Sequence, residues 1–227
     1  MSTIFIGDIH GCAREFEQLL GEVGFRASQD RLLLTGDAFS RGRFPLRVWE
    51  IIRDSGAGMV LGNHDDRLLR QLGQILRDEE PEVSNPDQQR TLDWLSPVAE
   101  PLLEWLDERP LFVDEDDFLL VHAGINPEEG LQGTSRAEFL TIRAWPPVKG
   151  LEGPRWHEAI GTASFPPLIV FGHDAPGGLV VKKSDGEDSR PYLLGLDSGC
   201  IYGGWLSAYV LEENRIVQVA SEQPHQR

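Results

Sequence analysis

An α/β fold follows from three features of the chain. Five short apolar runs each end in a polar word rich in Gly, Asp, Asn or His, amphipathic segments of helical period follow the first three, and turn residues separate the two kinds of segment. Such alternation builds βαβ units, so the first sheet is expected to be at least partly parallel.

Thr3-Ile4-Phe5-Ile6 forms the first predicted strand and runs into Gly7-Asp8-Ile9-His10-Gly11. Cys12, Phe16, Leu19, Leu20 and Val23 then recur at helical spacing, and the helix is expected to stop near Gly24. Leu32-Leu33-Leu34-Thr35 leads into Gly36-Asp37, followed by a helix over residues 44–53. Met59-Val60-Leu61 leads into Gly62-Asn63-His64-Asp65, followed by a helix over residues 66–76. Residues 78–87 are acidic and Pro-containing, which reads as an exposed loop. Residues 91–106 read as helical, with Pro97 and Pro101 expected to divide them.

Residues 111–114 and 118–121 flank an acidic tip and suggest a hairpin, the second arm ending at His122-Ala123-Gly124. The stretch 146–167, rich in Pro and Gly, is expected to be a flap. Leu168-Ile169-Val170-Phe171 reads as a buried strand ending at Gly172-His173. Short β-rich runs at 179–181, 192–196, 206–211 and 216–219 suggest a second, largely antiparallel sheet. With no internal repeat and no long linker, residues 1–227 are expected to form one domain.

A net charge of −16 argues against a surface built for bulk nucleic-acid binding, although local basic residues could still grip one phosphate. Part of that acidity is expected to be ligand carboxylate, which bound metal would offset. The two cysteines, Cys12 and Cys200, lie far apart without zinc-ligand spacing, and a reducing compartment is the simplest reading. No leader-like segment and no run of membrane-spanning length are seen, so a cytoplasmic location and no membrane partner are expected.

The strand ends present Asp8, His10, Asp37, Asn63, His122 and His173, a mixed set of imidazole, carboxylate and amide donors suited to Mn, Fe or Zn. Asp37 could bridge two cations, as a pair about 3.5–4 Å apart would need. Taken singly, a Gly-Asp after a strand is usually a turn, and a lone His at a strand end is usually structural. The coincidence of His10, His64, His122 and His173 in such words favours chemistry; His157 and His225 lack that context and are read as structural.

Gly7-Asp8-Ile9-His10-Gly11, Gly36-Asp37 with Arg41-Gly42 behind it, Gly62-Asn63-His64-Asp65 and His122-Ala123-Gly124, in this order, resemble the phosphoprotein phosphatase superfamily of metallophosphoesterases. The resemblance spans residues 4 to about 211. It implies a four-layer αββα sandwich with two mixed central sheets and two divalent metal ions, Mn first, with Fe or Zn as alternatives. Asp8, His10 and Asp37 would hold one ion, and Asp37, Asn63, His122 and His173 the other. Activated water would attack phosphorus while His64 acts as general acid, and Arg41 and Arg143 would grip the phosphoryl group. The family usually carries Asp just before that arginine, orienting the catalytic histidine; here the position is Ser40. Asp65, beside His64, is a further catalytic candidate.

The Ser40 departure resembles the bacterial symmetrical diadenosine tetraphosphatases, as do Leu61-Gly62-Asn63-His64-Asp65 and the segment from Leu196-Asp197-Ser198-Gly199-Cys200 to Tyr202-Gly203-Gly204. The short span between His122 and His173 is instead similar to compact bacterial protein phosphatases. Hydrolysis of a dinucleoside polyphosphate is the first reading. The alternative is a phosphatase acting on protein Ser, Thr or Tyr, and the third is a non-catalytic module that binds phosphorylated partners. A nucleotide enzyme is expected to offer an aromatic such as Trp145 or Trp156 for base stacking; the plainer reading of both is packing.

Overall fold

A computed structural model describes residues 1–147, 153–160, 168–184 and 189–224. Strands β1 (Thr3–Ile6), β2 (Arg31–Leu34) and β3 (Gly58–Met59) lie parallel at one side of the first sheet. They are linked by helices α1 (Ala13–Val23) and α2 (Pro45–Ser55), and α3 (Asn63–Leu76) follows β3. Helices α4 (Pro86–Leu95) and α5 (Ala99–Asp107) complete the cover of this sheet. The chain then crosses to the second sheet with β4 (Phe112–Asp114), β5 (Leu119–Val121) and β6 (Ile169–Phe171), with two short helices, α6 (Gly130–Gly133) and α7 (Arg136–Thr141), before β6. It closes with β7 (Val180–Lys183), β8 (Pro191–Gly195), β9 (Trp205–Val210) and β10 (Arg215–Ala220).

The alternation of side chains along the strands sets the layers. Phe5, Leu33 and Val60 from the first sheet meet Leu120, Val170 and Leu194 from the second in an apolar layer between the sheets. Their neighbours Ile4, Ile6, Leu32, Leu34 and Met59 face the other way, onto the helices α1 to α5. On the far side of the second sheet, Leu119, Val121, Ile169 and Phe171 pack against Phe139, Ile142 and Trp156. The result is the expected αββα arrangement with two mixed sheets.

The last four strands depart from the expectation of a sheet of their own. β9 and β10 extend the first sheet, in the order β10-β9-β1-β2-β3, whereas β7 and β8 close the second, in the order β4-β5-β6-β8-β7. Within the second sheet β5, β6 and β8 run parallel and only the edges β4 and β7 are antiparallel. Alternation within a strand says which face is buried but not which neighbour it pairs with, and that choice is non-local.

Three helix boundaries also differ. α3 begins at Asn63, three residues earlier than its apolar period suggests, because Gly62 is extended and the polar word itself forms the first turn. α4 starts at Pro86, where the Asn85 side chain accepts from Gln88 N at 3.1 Å and Pro86 supplies a preset first turn. Pro97 does fall at the break between α4 and α5, but Pro101 sits in the first turn of α5, where a missing N–H disturbs no intrahelical bond.

Within the 146–167 stretch, residues 148–152 and 161–167 lie outside the described residues. The part between them is anchored: Trp156 is 1% exposed, its ring 5.3 Å from Phe171, and it lies against Gly124, where a Cβ would fall 2.3 Å from its ring. Trp156 is therefore packed in the core. Trp145 hydrogen-bonds Glu128 Oε1 through Nε1 at 2.9 Å. Trp156→Ala is expected to cost about 3–5 kcal/mol of stability, read as a fall in urea midpoint at unchanged slope. Among the described residues, no helix is long and apolar enough to cross a membrane.

Candidate metal centre

Each sheet delivers its polar words to one edge, because the parallel strands β1, β2, β5 and β6 all point their carboxyl ends there. The chain must turn sharply as it leaves them. His10, Asp37, Arg41 and His173 have φ of 46°, 52°, 71° and 68°, in the left-handed region that non-glycine residues avoid. Strain of about 1–3 kcal/mol per such residue is typical of sites held by their surroundings.

Two groups of donor atoms result, each lying within 4.8 Å of one another: Asp8, His10 and Asp37, and Asp37, His122 and His173. Asp37 belongs to both. Its Oδ2 is 3.6 Å from His10 Nε2 and its Oδ1 is 3.7 Å from His122 Nε2. Asn63 joins the second group, its Oδ1 3.2 Å from His122 Nε2.

Thr35 orients donors of both groups. Its hydroxyl donates to Asp8 Oδ1 at 2.8 Å, and its carbonyl accepts from His122 Nδ1 at 2.8 Å. With the His122 proton committed to Nδ1, the Nε2 lone pair faces the lone pairs of Asn63 Oδ1 and Asp37 Oδ1. A cation between them would convert that repulsion into coordination. His173 Nε2 is buried with no hydrogen-bond partner, and its backbone N–H donates to Asp8 Oδ2 at 3.0 Å.

The electrostatics agree. Burial pushes Asp37 up to about 7, and burial with the nearby charges of Asp197 and Asp37 raises Asp8 well above the usual carboxylate range. Burial holds His122 down to about 4, and His10 and His173 well below the ordinary imidazole value. Buried carboxylates that repel one another beside imidazoles kept neutral are a donor set that divalent cations would fit.

Gly172 shows how closely the two sheets approach at this edge. A Cβ there would lie 2.0 Å from Asp8 Oδ1 and 2.7 Å from Thr35 Oγ1. Gly172→Ala is expected to displace Asp8 and lower bound-metal content at least ~10-fold, the scale of lost ligand orientation, as measured by elemental analysis after dialysis.

His64 stands beside these donors. Its ring is 5.2 Å from that of His10, and its Nε2 is 3.1 Å from Arg41 Nη2. Burial, then the Arg41 charge, lowers its pKa to about 3. Ser40 makes no hydrogen bond to it; Ser40 Oγ is 3.1 Å from His10 Nδ1. Asp65 also turns away, accepting from Asp37 N at 2.6 Å, Ala38 N at 3.2 Å and Gly62 N at 3.3 Å, so it holds the β2 and β3 turns together. Arg41 bonds the Tyr202 hydroxyl and lies over that ring at 5.5 Å. Arg143 donates to His173 O at 2.9 Å, with its Nε 3.8 Å from Asp174 Oδ1.

Three residues at this edge escaped the sequence reading of roles. Asp197, 5% exposed and raised by burial to about 6, lines the cavity with Asp37. It ends the apolar run Leu193-Leu194-Gly195-Leu196, the same pattern that marks the other words. Thr35 ends the second run, where it resembles any strand threonine. Tyr202 ends the short helical turn Cys200–Tyr202 and carries no local signal. Elsewhere, Cys12, Glu15 and Cys200 also come together, but the Glu15 carboxylate already accepts from Glu222 N at 2.9 Å.

A four-layer sandwich that gathers these donors at one strand-end edge is the layout of a metal-dependent phosphohydrolase. The family model for calcineurin-like phosphoesterases matches residues 1–215, and the chain belongs to that family. It is 36% identical to a symmetrical bis(5'-nucleosyl)-tetraphosphatase of Vibrio parahaemolyticus over 277 residues, covering 95% of this chain and 97% of the relative. It is 29% identical to the protein of the same name from Nitrosomonas europaea over 285 residues, covering 96% and 98%. That alignment is longer than this chain's 227 residues, so the relative carries residues without counterpart here. A crystal structure provisionally assigned as a diadenosine tetraphosphatase superposes with TM-score 0.74 at 28% identity, covering 97% of this chain and 93% of that one. A serine/threonine phosphatase from Saccharomyces cerevisiae superposes with TM-score 0.60 at 14% identity, a likeness of fold alone.

Proposed function

We propose that the chain hydrolyses a phosphoanhydride bond in a dinucleoside polyphosphate such as diadenosine tetraphosphate, releasing two mononucleoside diphosphates. The observation that carries this reading is a cleft with two arms. A cavity of about 430 Å³ reaches toward α3 and α4, and another of about 670 Å³ reaches toward Asp197 and Gly204. Both are walled by Arg41, Asn63, His64, Arg143 and Tyr202, so chain can leave the reacting centre on either side. The match to named symmetrical tetraphosphatases along nearly the whole chain supports the same substrate class.

Asp8, His10 and Asp37 would hold one divalent ion, and Asp37, Asn63, His122 and His173 the other, with manganese our first assignment among Mn, Fe and Zn. Bound there, such a pair supplies Lewis acidity that lowers the pKa of water and offsets phosphoryl charge. Arg41 and Arg143 grip the non-bridging oxygens through charge-assisted hydrogen bonds. Thr35 fixes the orientation of Asp8 and His122. The oxygen of water bonds one inner phosphorus as its proton passes to solvent, the bridging P–O bond breaks, and the His64 imidazole, once protonated, hands a proton to the departing phosphate oxygen.

The environment of His64 favours an anhydride over a serine or threonine ester. Among the described residues no carboxylate hydrogen-bonds this histidine; its ring nitrogen faces Arg41. An imidazole that is buried and faces a cation is seldom protonated near neutral pH, so little of the acid form is at hand. A leaving phosphate is stabilised by its own oxygens and asks less of the acid than a leaving alkoxide does. The test is a side-by-side assay of diadenosine tetraphosphate, a phosphopeptide set and an aryl phosphate, each with added manganese and with chelator. Chelator-sensitive conversion of diadenosine tetraphosphate to ADP is expected to dominate. Turnover of phosphopeptides alone would overturn the substrate assignment.

A further inference from the structure

We infer that Arg67, on α3, is a specificity-determining residue that binds a phosphate of the substrate next to the one undergoing attack. This rests on the polyphosphate reading above. The cavity of about 430 Å³ that opens beside His64 is lined by three arginines, Arg41, Arg67 and Arg143, and by one carboxylate, Asp87. Asp87 is itself paired with Arg90. In a chain of net charge −16, this arm of the cleft is therefore locally cationic.

The three arginines are not equivalent. Arg41 is engaged with Tyr202 and His64, and Arg143 with His173 O and Asp174. Both lie at the reacting centre, where they wall the two arms in common. Arg67 lines only the arm toward α4 and a neighbouring hollow. Arg67 as a residue is half-buried, and no hydrogen bond or ion pair with a described residue engages its guanidinium. A guanidinium left unpaired in a partly desolvated cavity is poised for an anion from outside the chain.

Its place on α3 gives the direction. Asn63, Arg67 and Gln71 recur every four residues, so they form one stripe that leaves the metal-donor edge and runs along the cavity wall. Each step advances about 6 Å along the helix axis. A phosphate chain whose reacting phosphorus lies near Asn63 would meet Arg67 with its next phosphate. A simple phosphomonoester has no group to place there.

The consequence is a preference for ligands carrying an extra phosphate, readable without turnover. Calorimetric titration of the manganese-loaded protein with ADP and with AMP gives the ratio of their Kd values. ADP is expected to bind roughly tenfold more tightly than AMP, and R67A to reduce that ratio to about twofold or less. Arg67→Lys, which keeps the charge but loses the fork, is expected to fall between. Alanine is the best helix former, so R67A leaves α3 intact, which far-ultraviolet dichroism checks.

An ADP-to-AMP ratio unchanged in R67A would overturn the inference, as would equal weakening of both ligands or no ADP preference in the native protein. The substrate reading is decided separately. Loss of the ratio in R67A without diadenosine tetraphosphate hydrolysis by the native protein removes that reading and leaves the subsite. Hydrolysis with a ratio indifferent to Arg67 does the reverse.

Discussion

Asp37→Asn is expected to abolish turnover and empty the metal centre together. Asp37 is the one donor shared by both ligand groups, with Oδ2 toward His10 and Oδ1 toward His122. Amidation replaces one anionic oxygen by an NH₂ that can only repel a cation, so each ion loses charge neutralisation at once. Loss of a mere orienting partner already costs about 10–100-fold in metal affinity, and loss of a shared direct ligand is expected to exceed that. The fold should survive, because the Asp37 backbone N–H is held by Asp65 and the flanking strand is apolar. Oδ1 also accepts from His64 N at 2.9 Å, a bond an asparagine oxygen can keep. Manganese content by elemental analysis, together with aryl phosphate turnover, checks this. A folded Asp37→Asn protein with full metal and native turnover would dismantle the centre as described.

The gathering of these donors at one edge was legible in the sequence because each lies within a few residues of the apolar run that positions it. Asp8 and His10 are fixed by β1, Asp37 by β2, and Asn63 by the turn after β3, and the helices that follow are amphipathic enough to place those strands in one sheet. Relations between distant segments were not legible. Nothing in the residues of β9 says that it pairs with β1, since an alternating strand fits either sheet and the choice is made by what else fills the edge. Arg67 carries no local mark in the sequence, and what sets it apart is that α4 supplies the other wall of its cavity. Ser40 is the subtler case. Its position in the word suggested a duty toward His64, yet the turn at Arg41, with φ of 71°, sends Ser40 Oγ to His10 and brings the Arg41 guanidinium to His64.

This exchange of partners shapes what removal of the imidazole should do. His64→Asn is expected to retain manganese, because His64 belongs to neither donor group, while slowing hydrolysis in proportion to the basicity of the leaving oxygen. General acid catalysis contributes about 10²–10⁴-fold. With Arg41, not a carboxylate, facing the ring, little of His64 carries the proton it would donate. The loss on diadenosine tetraphosphate should therefore lie near the lower end, about 10²-fold, and the loss on an alkyl phosphate nearer the upper end. A series of aryl phosphates of graded leaving-group acidity would show the difference as a steeper dependence of rate on leaving group in the variant. Equal slowing across the series would remove His64 from proton transfer and leave it a role in holding Arg41. Asn preserves a polar side chain close to Arg41 Nη2, so a change confined to rate, with Kd for AMP unchanged, would separate the lost proton from any lost grip on phosphate.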